Sequence, residues 1–212
     1  MAKIPNSNAD IAALGLRVAT AWANYPTITL EWITQVDAAT LATNYKNIIL
    51  QTSQTKGSGR DKVRKLQVLD KLINDNIYRL KMLIDVEYGK SQLASHYADF
   101  GIEKYNKGYK LPYDRDKRLE ALRLLVSSLA TAPFQANVYG EAYWQDILTQ
   151  YDAAKTALES EVGKVSEDVV DKKILREQVL KLLRSMKSII QGNFPDTSSA
   201  VLREFGYLDE RI

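Results

Sequence analysis

The 212-residue sequence contains no cysteine, one histidine and five prolines. Without thiols there is no disulfide framework, no thiolate nucleophile and no cysteine-ligated zinc or iron–sulfur cluster. His96 stands alone, so no pair of imidazoles can share a metal, and no metal or cofactor is expected. No run of about 18 apolar residues is present, the length a membrane-spanning helix needs. The stretch Met1 to Asp10 carries one lysine and no apolar core, so it does not read as a secretory signal. The expected address is the cytoplasm, or a virion if the gene is carried by a phage. An excess of one charge is missing too. Lys and Arg number 29 against 26 Asp and Glu, and a net charge of +3 demands no polyanionic partner.

What is present is helical periodicity. Hydrophobic residues at 45% and charged residues at 26% match an ordinary folded chain, and the apolar positions recur at helical spacing between the breakers. A first helix is expected from Asn8 to Ala23, capped by Ser7 and closed by Tyr25-Pro26, with Thr27 to Leu30 a loop that turns Ile28 and Leu30 inward. A second helix covers Glu31 to Gln54, and Lys56-Gly57-Ser58-Gly59 reads as a turn. A third begins near Arg60, where Leu66, Ile73 and Leu80 repeat every seven residues beside Leu69, Asn76 and Leu83. Asn76 either fixes a bundle register through a buried partner or sits half exposed. Ser91 to Phe100 forms a short helix stopped by Gly101, and Tyr105 to Pro112 a loop. Asp114 caps a fourth helix. Gly140 opens a fifth, Gly163 to Ser166 is a turn, a sixth follows, and Thr197 to Phe205 is a short last helix stopped by Gly206.

The fold expected is all-α, an up-and-down bundle of about six helices in a single domain. The order of elements over residues 8–101 repeats over 114–206, with 102–113 as the crossover. Thr34 to Ala39 resembles Thr149 to Ala154, and Ala98-Asp99-Phe100-Gly101 resembles Arg203-Glu204-Phe205-Gly206. The offsets of these two pairs require a ten-residue insertion or deletion between them. A duplication would give two similar three-helix halves sharing one core.

Chemistry is scarce. A histidine is the side chain that titrates near neutrality, but Ser95 points about 100° away from His96 around a helix. Leu93, not Glu, stands three residues before His96, which excludes the Glu-x-x-His pair of carboxylate-bridged metal bundles. The segment Lys56 to Arg60 lacks the spacing of a phosphate loop and any preceding strand. No catalytic, cofactor-binding or metal residue is therefore assigned. Two basic patches remain: Lys56, Arg60, Lys62, Arg64 and Lys65, and a second running from Lys104 to Arg118. In the second, Lys104, Lys107, Lys110, Arg115, Lys117 and Arg118, with Asp114 and Asp116 among them, interleave with Tyr105, Tyr109 and Tyr113, supplying cations for phosphate and rings for stacked bases. The same tyrosines suit a loop lying on a bundle, ring buried and hydroxyl wet.

The second half carries Phe100-Gly101, Gly108-Tyr109-Lys110-Leu111-Pro112 with Arg115-Asp116 and Arg118, Gly140 to Trp144, Asn193-Phe194-Pro195-Asp196, and Leu202 to Tyr207. In these it resembles a group of small, all-helical bacterial proteins seen chiefly in Bacteroidetes, over about half the chain. The chain ends in Asp209-Glu210-Arg211-Ile212, where that group would have a basic, aromatic ending. The group has no assigned activity, so the resemblance implies a helical fold and a bacterial or bacteriophage origin, and no catalytic residue. The expected function is that of a non-enzymatic structural or protein-interaction bundle, with itself or an assembly partner as the protein bound. The alternative is nucleic-acid binding through residues 104–118.

Overall fold

The computed structural model describes residues 2–89, 93–106 and 108–209. The chain begins with a short strand, β1 (Ala2–Lys3), and reaches Ser7 in extended conformation. There the serine hydroxyl accepts the Asp10 N–H at 3.1 Å. That bond satisfies a donor with no partner inside the helix and starts α1 (Asn8–Trp22). A loop follows, held by the Trp22 indole donating to the Ile28 carbonyl at 2.7 Å, and Ile28 is buried as its apolar character requires. Thr34 then accepts the Asp37 N–H at the start of α2 (Gln35–Tyr88), a helix of 54 residues.

Next come α3 (Leu93–Asp99), the strands β2 (Glu103–Tyr105) and β3 (Gly108–Lys110), and α4 (Arg115–Leu129), which Asp114 caps. The chain continues through α5 (Glu141–Asn193), of 53 residues, α6 (Ser198–Glu204) and β4 (Leu208–Asp209). The architecture is an all-α helical bundle with six helices among the described residues.

Three local expectations are corrected. Lys56 to Gly59 and Gly163 to Ser166 are not turns: both lie inside continuous helix, α2 and α5. A glycine in a helix interior costs about 1 kcal/mol relative to alanine, which the packing of apolar residues on either side outweighs. Neither Gly57 nor Gly163 adopts a left-handed conformation or has any atom within 4 Å of where a Cβ would stand. The expected loop from Tyr105 to Pro112 contains half of a two-stranded antiparallel hairpin, in which Glu103 faces Lys110, Lys104 faces Tyr109 and Tyr105 faces Gly108. Asn106 turns the chain there at φ 51°. Asn76 donates to the carbonyl of Leu72 on its own helix at 2.8 Å, so it fixes no register across the bundle.

The chain divides into two compact units, Met1–Gly57 with Gly163–Ile212, and Ser58–Val162. Where the sequence suggested one core, the buried residues form two clusters. The first joins Ile11, Val18 and Trp22 of α1, Ala38 and Tyr45 of α2, Val179, Leu183 and Met186 of α5, and Phe205 and Tyr207 at the end of α6. The second joins Leu122, Leu125 and Leu129 of α4, Trp144 and Tyr151 of α5, Ile73, Leu80 and Ile84 of α2, and Phe100 and Ile102 beyond α3.

The make-up of the units corresponds position by position. Helices α1 and α4 both span 15 residues and bury the same positions counted from their first residue: Ile11, Ala12, Leu14, Gly15, Val18, Ala19 and Trp22 against Arg118, Leu119, Ala121, Leu122, Leu125, Val126 and Leu129. Counted from Gln35 and Glu141, Tyr45 matches Tyr151, and Ile73, Ile77, Leu80 and Ile84 match Val179, Leu183, Met186 and Ile190, all buried. The short helices stop alike. Gly101 (φ 70°) and Gly206 (φ 86°) take the left-handed conformation, and the next N–H reaches back to the helix, from Ile102 to Tyr97 at 2.8 Å and from Tyr207 to Leu202 at 2.9 Å. By contrast, Thr34 to Ala39 spans the start of α2 while Thr149 to Ala154 lies well inside α5. That echo joins positions that do not correspond, and the nearly equal lengths of α2 and α5 need no ten-residue insertion.

Helix continuity and the left-handed stops predict opposite outcomes for glycine-to-alanine changes. Gly57→Ala and Gly163→Ala should each raise the unfolding free energy by about 0.5–1 kcal/mol. Gly101→Ala should lower it by about 2 kcal/mol, because its Cβ would stand 2.7 Å from the Ala121 carbonyl oxygen. Urea titration of the three variants measures both signs.

Candidate functional site

The basic, tyrosine-rich segment is built on the β2–β3 hairpin and the start of α4. Lys104 and Tyr105 are exposed on β2. The Tyr105 ring meets Tyr113 edge-on at 5.3 Å, and the Lys110 ammonium donates to the Tyr113 hydroxyl at 2.7 Å. Tyr109 turns the other way, against Tyr97 at 4.9 Å. Lys107 lies outside the described residues. Arg115 is half-buried, with its Nε 3.8 Å from Asp70.

Arg118 is a correction. Its side chain is 1% exposed, donating to Asp70 at 2.5 Å and to the Pro112 carbonyl at 2.6 Å, so it cannot reach a phosphate. The reason is its place on α4, on the face that corresponds to Ile11 and points into the core. Lys104, Tyr105, Lys110, Tyr113 and Lys117 are thus the part of the patch the structure leaves at the surface. Glu103 faces Lys110 across the strands, and in the other patch Arg64 lies 3.7 Å from Asp61 while Lys62 pairs with Glu161.

His96 stacks on Tyr88 at 4.1 Å, its Nδ1 3.6 Å from Asp99. The groove of about 410 Å³ lined by Trp22, Pro26, Ile28, Leu30 and Ile33 has no ionisable side chain in its wall. Among the described residues no cluster of three or more His, Asp or Glu is placed to hold a metal, and no helix is long and apolar enough to cross a membrane.

Buried polar contacts escape sequence reasoning because their partners are far apart in the chain. In one unit Asp70 receives Arg118, Arg115 and the Tyr151 hydroxyl, the last at 3.0 Å. At the matching place in the other, Asn8 receives the Tyr45 hydroxyl at 2.9 Å and Arg176 at 3.2 Å. Lys62 pairs with the buried Glu161, and at corresponding positions Thr55 and Gln51 donate to the buried Asp168, each at 2.7 Å. The residues differ, but each of these buried or half-buried carboxylates and amides is met by donors.

The surface holds one feature the sequence reading missed. On the part of α2 within the unit Ser58–Val162, apolar side chains face solvent: Val68 is 63% exposed, Leu72 36%, Tyr78 64%, Met82 49% and Val86 85%. They lie on the face opposite the buried Leu66, Ile73 and Leu80. The corresponding residues of α5 are Ile174, Gln178, Arg184, Ser188 and Gly192, polar or small after the first. The signal was available as two fourteen-residue spacings, Val68 to Met82 and Leu72 to Val86, hidden beneath the stronger core repeat of the same helix.

No protein-family model, curated protein or solved structure matches this chain.

The tyrosines make stability sensitive to alkali. Burial first, and then Asp70 or Asp85, holds the hydroxyls of Tyr151 and Tyr97 above their ordinary 10.0, and burial alone does so for Tyr207. A folded-state pKa above the unfolded one contributes stability that is complete below the unfolded value and is lost as pH rises through the folded one. Unfolding free energy should therefore fall from about pH 10 upward, and Tyr151→Phe should flatten that fall. Urea denaturation at stepped alkaline pH measures both slopes.

Proposed function

We propose that this chain is a non-enzymatic protein-interaction element, built by tandem duplication of one helical unit, and that it serves as a self-associating or docking part of a larger bacterial or bacteriophage assembly. The observation that carries the reading is the apolar stripe Val68, Leu72, Tyr78, Met82 and Val86, exposed on one unit and replaced by mostly polar residues at the corresponding positions of the other. The second unit acts as an internal control. Gln178, Arg184, Ser188 and Gly192 serve the same fold, so stability of the bundle does not require apolar side chains there. Covering them recovers roughly 25 cal/mol per Å² of apolar surface.

Val68→Glu/Met82→Glu should keep the thermal midpoint within a few degrees, since both positions are exposed. It should also abolish association, read as mass across concentrations and as co-purification from the native host. Identical behaviour of wild type and variant in both assays would overturn the reading.

A second reading, single-stranded nucleic-acid binding, is favoured by the exposed set Lys104, Tyr105, Lys110 and Tyr113. It predicts that Lys104→Glu/Lys110→Glu weakens binding of a labelled oligonucleotide and flattens its salt dependence. Fluorescence anisotropy at two salt concentrations measures this, and equal binding by the variant removes the reading.

A further inference from the structure

We propose that the exposed stripe of α2 is occupied by the same stripe of a second copy of this chain, the two helices running antiparallel about a two-fold axis at the level of residue 77. The proposal rests on the protein-contact reading above and names its partner. Val68, Asp75 and Met82 recur every seven residues, and Leu72, Arg79 and Val86 follow each of them by four. This alternation of fours and threes is a coiled-coil seam, separate from the core seam on the other face.

The seam is self-complementary in reverse. Laid antiparallel on itself, Val68 meets the partner's Val86, Leu72 meets the partner's Met82, and Asp75 meets the partner's Arg79, with each contact repeated by the two-fold. A parallel, in-register pairing would set Asp75 on Asp75 and Arg79 on Arg79, so charge selects the antiparallel arrangement. The charges at the centre are accessible. Asp75 and Arg79 are both exposed, four residues apart on one helix. The Arg79 guanidinium lies over the Tyr139 ring at 4.6 Å.

The corresponding face of α5 has Lys181 and Ser185 at the central positions and Ser188 and Gly192 beyond them. It offers no such complementarity. Of these two faces, that of α2 is the one that pairs with itself, and a pairing about a two-fold axis closes at a dimer rather than extending into a filament. The seam is about 27 Å long and about 10 Å wide, an area on the order of 300 Å² against the roughly 800 Å² per partner of a standard interface, so monomer and dimer exchange with concentration.

Sedimentation equilibrium of the full chain should show the mass rising from one chain to two. Asp75→Arg and Arg79→Asp should each shift the midpoint about tenfold toward higher concentration, and the double variant Asp75→Arg/Arg79→Asp should restore it. Because the chain has no cysteine of its own, Leu72→Cys/Met82→Cys should oxidise to a covalent dimer and report the register directly. A wild-type chain that stays monomeric, a double variant no better than the single ones, or a dimer that does not cross-link through these positions would overturn the proposal. If the wild type is monomeric while Val68→Glu/Met82→Glu still loses a heterologous partner, self-pairing falls and the protein-contact reading stands.

Discussion

Neither long helix completes a core with its own neighbours in sequence. The first part of α2 packs its Ala38 and Tyr45 with α1 and with the last part of α5, and the rest packs Ile73, Leu80 and Ile84 with α4 and the first part of α5. Each unit therefore takes its opening helices from one half of the sequence and its closing helices from the other. Both long helices run unbroken through Gly57 and Gly163, at a cost of about 1 kcal/mol for each helical glycine.

The same constraint decides what lies between the helices. Where α2 and α5 run together, Lys62 meets Glu161, and Gln51 and Thr55 meet Asp168. Matching positions hold a lysine and an aspartate, or a threonine and a glutamate, in opposite roles. The geometry asks for a donor on one helix and an acceptor on the other, and the two units answer with different side chains. Arg118 shows how far this goes. It stands where α1 has Ile11, and Asp70 and the Pro112 carbonyl meet its guanidinium. A buried charge met in this way is costly to leave without its partner, and weak as a source of net stability compared with an apolar residue of similar volume.

Correspondence between the units separates what the fold needs from what it merely allows. The buried stripes agree in position and, apart from Arg118 in the place of Ile11, in apolar character, because a core tolerates few alternatives at fixed volume. The outward faces of the same helices do not agree. The apolar outer face of α2 belongs to one unit, and a property that its counterpart lacks is a property of the surface and its contacts.

Much of the fold was legible in the chain. The periodicity of α1, α4 and the seam Leu66, Ile73 and Leu80, the caps Ser7 and Asp114, and the stops at Gly101 and Gly206 are local: each depends on residues within one or two turns, and each stands where spacing and side-chain chemistry put it. The candidate patch was legible only as composition. Lys104, Tyr105 and Lys110 reach the surface while Arg118, from the same run of sequence, is buried, and the hairpin that orients them was read as a loop because strand pairing over three residues leaves almost no pattern. What the sequence by itself determined was the helical class and the place of most of its ends, since helix formation and capping are short-range. Tertiary structure alone decided that glycines would be carried inside helices, that halves would exchange partners and form two cores, and that one apolar seam would be left facing outward. Those outcomes depend on free energies of contact between residues about a hundred positions apart, which no local window contains.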